Sequence, residues 1–214
     1  MPKGSPELTA ARREEIITAC ETLYQTMSFK DITIKEIGAV TSFTRTSIYN
    51  YFQTKEEIFL ALMQKEYGRW VDELDALAAA YTTMSAEGLA GALAHSLEKR
   101  GMLLKLLSMN HFDMEDNSRP ECLREFKEAY GASIEALRRC LVRFFPDMEA
   151  QAQQDFLYAF LPFLYGIYPY TTVSDKQRQA MADAGLNFVY MGVYDLAYRC
   201  IRALLNDALG KNGY

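Results

Sequence analysis

Histidine and cysteine are scarce in this 214-residue chain, with two of the first and four of the second. His95 and His111 stand far apart, and Cys20, Cys122, Cys140 and Cys200 show no C-x-x-C spacing. That spacing argues against a zinc cluster and a dithiol redox motif, and the four thiols read as reduced and mostly buried. With only two imidazoles no Ser-His-Asp or Cys-His arrangement can be argued from the sequence. "HFDMED", His111 to Asp116, reads as a polar helix end rather than a metal site. There is no glycine-rich phosphate loop, since "GLAGALAH" is only a glycine pair in a helical stretch. No uncharged apolar run approaches the roughly 20 residues that cross a bilayer. "MPKGSPELTAARREE" lacks the apolar core of a secretory signal. These absences predict a soluble, cytoplasmic protein that is not an enzyme and uses no cofactor and no metal.

Half of the residues are apolar, with 14 Tyr, 12 Phe and 10 Met against six Pro, so a large core is available and the composition leans helical. The formal net charge is −5, but it is unevenly spread. Residues 1–55 hold seven Lys or Arg against six Asp or Glu, whereas residues 56–214 hold 16 against 22. The acidity therefore belongs to the C-terminal three quarters.

Ile16, Cys20, Leu23, Tyr24 and Met27 recur at spacings of three and four, which predicts an amphipathic helix over about 9–27. Thr33 with Glu36 has the capping-box spacing and should open a short helix to about Val40. Thr41-Ser42-Phe43 reads as a turn, with Thr44 capping a helix to about Tyr51. Thr54 with Glu57 should start a long helix, with Ile58, Phe59, Leu62, Tyr67, Trp70, Val71, Leu74 and Leu77 as its apolar stripe. Further helices are expected from Ser85, over "GMLLKLLSMNHF", from Ser118 to Phe144, and over about 148–168 with a kink at Pro162. Ser174 with Gln177 offers another capping box, Gly185 an interruption, and 186–208 the last helix. No strand pattern stands out, so the fold class is all-α.

"TSFTRTSIYNYFQTKEE", Thr41 to Glu57, sets rings among hydroxyls and cations. Three short helices, the last two joined by three residues, describe a helix-turn-helix unit. Ile48 and Phe52, four apart, would face inward. Thr44, Arg45, Thr46, Ser47, Tyr49 and Asn50 would be presented outward at the helix start. Arginine pairs with guanine O6 and N7, threonine methyls pack on thymine, and tyrosine hydroxyls and helix N-terminal N–H groups suit phosphates. Lys55, opening the long helix, sits where an anion is also favoured.

"TIKEIGAVTSFTRTSIYNYFQTKEEIF", Thr33 to Phe59, resembles the DNA-binding domain of the TetR family of bacterial transcriptional regulators, most specifically in "IYNYFQTKEE". The resemblance implies a homodimeric, ligand-responsive repressor on a palindromic operator. It puts Lys35 at a basic position opening the second helix. Arg45, Thr46 and Tyr49 fall on recognition-helix contacts, Tyr51 and Lys55 on phosphate contacts. Three departures stand out: Ser42 occupies a turn position that is commonly Gly, Phe43 follows where a small aliphatic is usual, and Thr46 stands where Gly is frequent. A positive φ at Ser42 would cost roughly 1 kcal/mol.

The expected organisation is a DNA-binding domain over 1–55 and a helical effector-binding and dimerisation domain over 56–214. Met and aromatic linings suit adaptable cavities between helices. Trp70, Leu103, Leu107, His111, Phe112, Tyr130, Phe163 and Tyr165 are the candidate pocket, and the acidic domain favours an apolar or cationic small molecule. The resemblance places the dimer seam on the last two long helices, where Leu157, Leu161, Leu164, Val189, Val193, Leu196, Cys200, Leu204 and Leu205 offer apolar surface. The alternative is a helical small-molecule-binding protein, or a protein–protein adaptor, whose DNA-binding head is vestigial.

Overall fold

The computed structural model describes residues 5–42, 44–109 and 111–210. Among these the protein is all-α, with no strand. The helices are α1 (Pro6–Thr26), α2 (Ile34–Ala39), α3 (Arg45–Ile48), α4 (Lys55–Ala80), α5 (Ala86–Glu98), α6 (Gly101–Leu107), α7 (His111–Asp116), α8 (Pro120–Phe144), α9 (Ala150–Thr171), α10 (Asp175–Asp183) and α11 (Val193–Gly210).

By packing, the chain divides into two compact units, Met1–Tyr67 with Asn110–Gly131, and Gly68–Met109 with Ala132–Tyr214. Helices α4 and α8 each run through the division. In the first unit Ile16, Cys20, Ile32, Ile37, Ile48, Phe52, Ile58, Phe59 and Leu62 are wholly buried. Tyr24 and Phe29 meet Phe59 edge to face at 5.0 and 4.8 Å, an arrangement that adds to simple area burial. In the second unit α11 packs on α5 and α9, and α9 on α6. Its core includes Trp70, Leu93, Leu97, Leu103, Leu107, Phe156, Phe160, Leu164 and Ile201.

Capping side chains set many of the helix starts. Ser5, Thr33, Thr44, Ser85 and Ser174 each accept from backbone N–H groups in the first turn of the helix they precede, which satisfies donors the helix itself leaves unpaired. Helix α10 ends on Gly185, whose φ of 69° suits a residue without Cβ. The N–H of Leu186 reaches the Met181 carbonyl at 3.0 Å and that of Gly185 the Ala182 carbonyl at 2.9 Å, the paired bonds of a Schellman stop.

Several boundaries differ from expectation. "GMLLKLLSMNHF" is not one helix: α6 closes at Leu107 and α7 opens at His111. Helix α8 begins at Pro120, so the residue before it is Arg119 and not Ser118, whose Oγ is buried without a partner. Helix α9 continues through Pro162 and Pro169 to Thr171. The last helix opens at Val193, leaving Leu186, Phe188, Val189 and Tyr190 in a non-helical, exposed run.

Candidate nucleic-acid interface

The short helix α3 is assembled from behind. Helix α3 spans four residues, and its turn is continued by Asn50 N–H to Ser47 O at 3.2 Å and Tyr51 N–H to Ile48 O at 2.9 Å. So short a helix cannot persist by its own hydrogen bonds; it is held because Ile48 and Phe52 are completely buried. Arg13 of α1 lies over the Phe52 ring at 4.7 Å.

On the other side Thr44, Arg45, Thr46, Tyr49 and Asn50 are exposed and Ser47 is half-buried. Thr44 Oγ1 accepts from Ser47 N–H at 3.3 Å and lies 3.0 Å from the Ser47 hydroxyl. Arg45 donates to the Tyr49 hydroxyl at 3.3 Å, its guanidinium 5.9 Å from that ring's centroid. Lys35, in the first turn of α2, is exposed. The Thr33 hydroxyl accepts from the N–H groups of Lys35 and Glu36, and the Glu36 carboxylate returns to that hydroxyl rather than to the backbone.

Tyr51 and Lys55 lie differently. Tyr51 is 6% exposed, and its hydroxyl accepts from Arg12 Nη1 at 3.2 Å. Lys55 Nζ donates to the carbonyls of Phe29 and Ile32 at 2.7 and 3.1 Å and lies 4.1 Å from the Phe29 ring centroid. Both are engaged inside the head, one bracing α3 against α1, the other closing the loop that precedes α2.

The turn at Ser42 is unstrained. Among the described residues no side-chain-bearing position has positive φ. Ser42 N–H instead donates to Glu15 of α1 at 2.6 Å, and that bond lowers the Glu15 pKa below the ordinary carboxylate value. Phe43 lies outside the described residues. Arg12, Arg13 and Glu15 lie within four positions of α1, in "AARREE", a stretch whose spacing alone gives no sign of these contacts.

The candidate pocket residues fall in both units. In the second, Trp70, Leu103 and Leu107 are buried, Phe163 and Tyr165 half-buried. Trp70 Nε1 donates to Ser96 Oγ at 3.1 Å, and Phe163 stacks on Phe160 at 6.5 Å. In the first, His111 is half-buried, Tyr130 meets Tyr67 at 5.8 Å, and Phe112 is 80% exposed. A separate hollow of about 460 Å³ in the second unit is lined by Pro169, Tyr170, Val173, Met181, Phe188 and Tyr190, none of them among the candidates. His95 packs on Tyr194 with centroids 4.3 Å apart and contacts Glu98 at 3.2 Å. Burial raises the pKa of every thiol, Cys140 to about 11. Among the described residues no three His, Cys, Asp or Glu converge as a metal site, and no helix is long and apolar enough to cross a membrane.

Residues 16–62 match the family described as bacterial regulatory proteins, tetR family. Residues 64–206 match the tetracyclin repressor-like C-terminal domain. The chain belongs to the TetR family. It has that family's design, a helix-turn-helix DNA-binding unit followed by a helical ligand-binding domain. Similar solved structures include a TetR-family transcriptional regulator from Mesorhizobium loti MAFF303099, 16% identical with a TM-score of 0.62, covering 95% of this chain and 97% of that one. Others are the fatty acid degradation regulator FadR from Bacillus halodurans (17%, TM-score 0.55, 96% and 97% covered) and a TetR/AcrR-family regulator from Thermobifida fusca YX-ER1 (18%, 0.55, 92% and 97%). At such identities the likeness concerns the fold. No curated protein matches the chain. TetR-family regulators are in general non-enzymatic transcription factors.

Proposed function

We propose that this TetR-family regulator is a ligand-responsive, cytoplasmic repressor that acts as a homodimer on a palindromic operator. Residues 1–55 would read the DNA, and residues 56–214 would dimerise and bind the effector. The observation that carries the reading is the two-sidedness of α3: Ile48 and Phe52 wholly buried, Arg45, Thr46, Tyr49 and Asn50 exposed. Arg45 is assigned to a base edge and Thr46, Ser47 and Asn50 to the groove around it. Lys35, Thr44 and Tyr49 contact phosphates. Tyr51 and Lys55 support the same surface from within.

A weakly charged head needs two copies. Helix α9 presents Tyr158, Pro162, Tyr165 and Pro169 at spacings of three and four, all exposed or half-buried, while Leu157, Leu161 and Leu164 are core. Leu196, Cys200 and Leu204 repeat at four on α11, half-buried. These two stripes favour a seam between subunits. The paired heads would then address major-groove sites about 34–36 Å apart or a multiple of that. The effector is expected to be apolar or cationic, given the acidic C-terminal part, and to favour the spacing that does not fit DNA.

The test is selection from a random duplex library by the full chain, followed by affinity measurements. Arg45→Ala should relax base preference at one position, costing about 1–3 kcal/mol. Lys35→Ala should weaken all duplexes alike and flatten the salt dependence by about one counterion. If both variants act equally on every sequence, the assignment of base and phosphate roles is wrong.

A further inference from the structure

Glu57 is a carboxylate with 1% exposure, placed in the first turn of α4. A charge so buried needs compensating donors, and it has four. Arg119 grips it as a fork, Nε to Oε1 at 2.6 Å and Nη2 to Oε2 at 2.9 Å. The Arg119 backbone N–H adds 3.2 Å to Oε1, and the Gln53 N–H 2.8 Å to Oε2. Burial pushes the carboxyl pKa up, but these bonds outweigh it and hold it below its ordinary value. The same guanidinium reaches back to the Tyr51 carbonyl at 3.4 Å. Beside it Thr54 Oγ1 donates to the Asn117 carbonyl at 2.8 Å.

The corner from Tyr51 to Glu57, which fixes where the reading turn leaves off and α4 begins, is therefore fastened to the segment 117–119. That segment lies more than sixty residues away and immediately precedes α8. Fold stability alone is a weak reason for such a device, because well-packed apolar residues often replace a buried ion pair without loss. A two-pronged fork joined by two backbone donors fixes direction, and direction is what a docking helix requires.

We infer that Glu57 and Arg119 are positioning residues for DNA reading: their fork sets the angle at which Arg45–Asn50 is presented. Arg119 immediately precedes α8, which starts at Pro120. The inference rests on the DNA-reading function proposed above.

The test uses the full chain and the duplex that the unmodified protein selects from a random library. Arg119→Lys keeps the charge and loses the fork; Glu57→Gln keeps the shape and loses the charge. Each should weaken binding about tenfold, the scale of one charge-assisted hydrogen bond. The slope of log K against log salt should stay unchanged, since neither residue is assigned a phosphate. The double variant should bind no worse than the poorer single one. Amide exchange over residues 45–52 in the free protein should quicken in Arg119→Lys, with α1 unaffected. That measurement carries the test alone if Glu57→Gln does not fold. Unmodified binding and unmodified exchange in Arg119→Lys overturn the inference, as does a shifted salt slope. A wild-type chain that enriches no duplex sequence overturns the regulator reading instead, while exchange still reports on the fork.

Discussion

The chain's single tryptophan offers a test of how the second unit is built. Trp70 is wholly buried, its indole N–H donates to Ser96 Oγ at 3.1 Å, and the Ser96 hydroxyl donates to the Leu93 carbonyl at 2.8 Å. Ser96→Ala removes the acceptor without opening space for water, since Ser96 is itself only 3% exposed. A buried donor left unpaired costs about 1–3 kcal/mol, and in a domain of this size each kcal/mol lowers Tm by about 2–4 °C. A Tm lowered by about 4–8 °C is the central expectation. The emission of Trp70 should shift to shorter wavelength at the same time, as its one polar partner is lost. In a Trp70→Phe background, where no indole N–H exists, the same serine change should cost about 1 kcal/mol less. Thermal and urea unfolding followed by circular dichroism measure both backgrounds. If Ser96→Ala costs the same with and without the tryptophan, the hydrogen bond is not what the serine contributes.

Gly38 lies within α2, and a Cβ built there would meet Arg45 N and Ile48 Cδ1 at 3.5 Å, an ordinary contact. Gly38→Ala should therefore stabilise the head by about 0.5–1 kcal/mol, read as a higher urea midpoint; a lower one would mean that α2 and α3 approach more closely than described. The depressed pKa of Glu57 sets a pH dependence. Its contribution is complete above its ordinary value of 4.5 and is lost as pH falls through the lower folded value. Wild type should accordingly lose stability more steeply than Glu57→Gln below about pH 4.5, as acid titration of the urea midpoint would reveal; parallel curves would contradict the assigned pairing.

Local chemistry made much of the fold legible. Ser and Thr caps need only the next few residues to act, so Thr33, Thr44, Ser85 and Ser174 could be placed from spacing alone. The pair Ile48 and Phe52 named the inward face of α3 by the same logic. What spacing misses is competition from distant partners. Thr54 and Glu57 have the form of a capping box, and Glu57 N–H does bond to Thr54 Oγ1 at 3.2 Å. The Glu57 carboxylate, however, turns to Arg119 and Gln53. Ser118 looked like a cap, but Pro120 occupies the first helical position and so puts Arg119 before it. The resemblance places Tyr51 and Lys55 on phosphate contacts, whereas in the structure α1 and the loop before α2 supply partners for their polar ends. The run from Leu186 to Met191 kept enough apolar residues to extend a helical pattern, which Gly192 and the turn at Gly185 interrupt.

The division of labour on α3 has an evolutionary corollary. Arg45, Thr46 and Asn50 face solvent, while Ile48 and Phe52, which anchor their backbone, lie beneath it. Exchanging those three side chains would disturb almost nothing in the interior, so under the proposed base-reading assignment a descendant could be re-aimed at a different sequence by a few surface changes. Ile48 and Phe52 have no such freedom, and drift there would blunt every target at once.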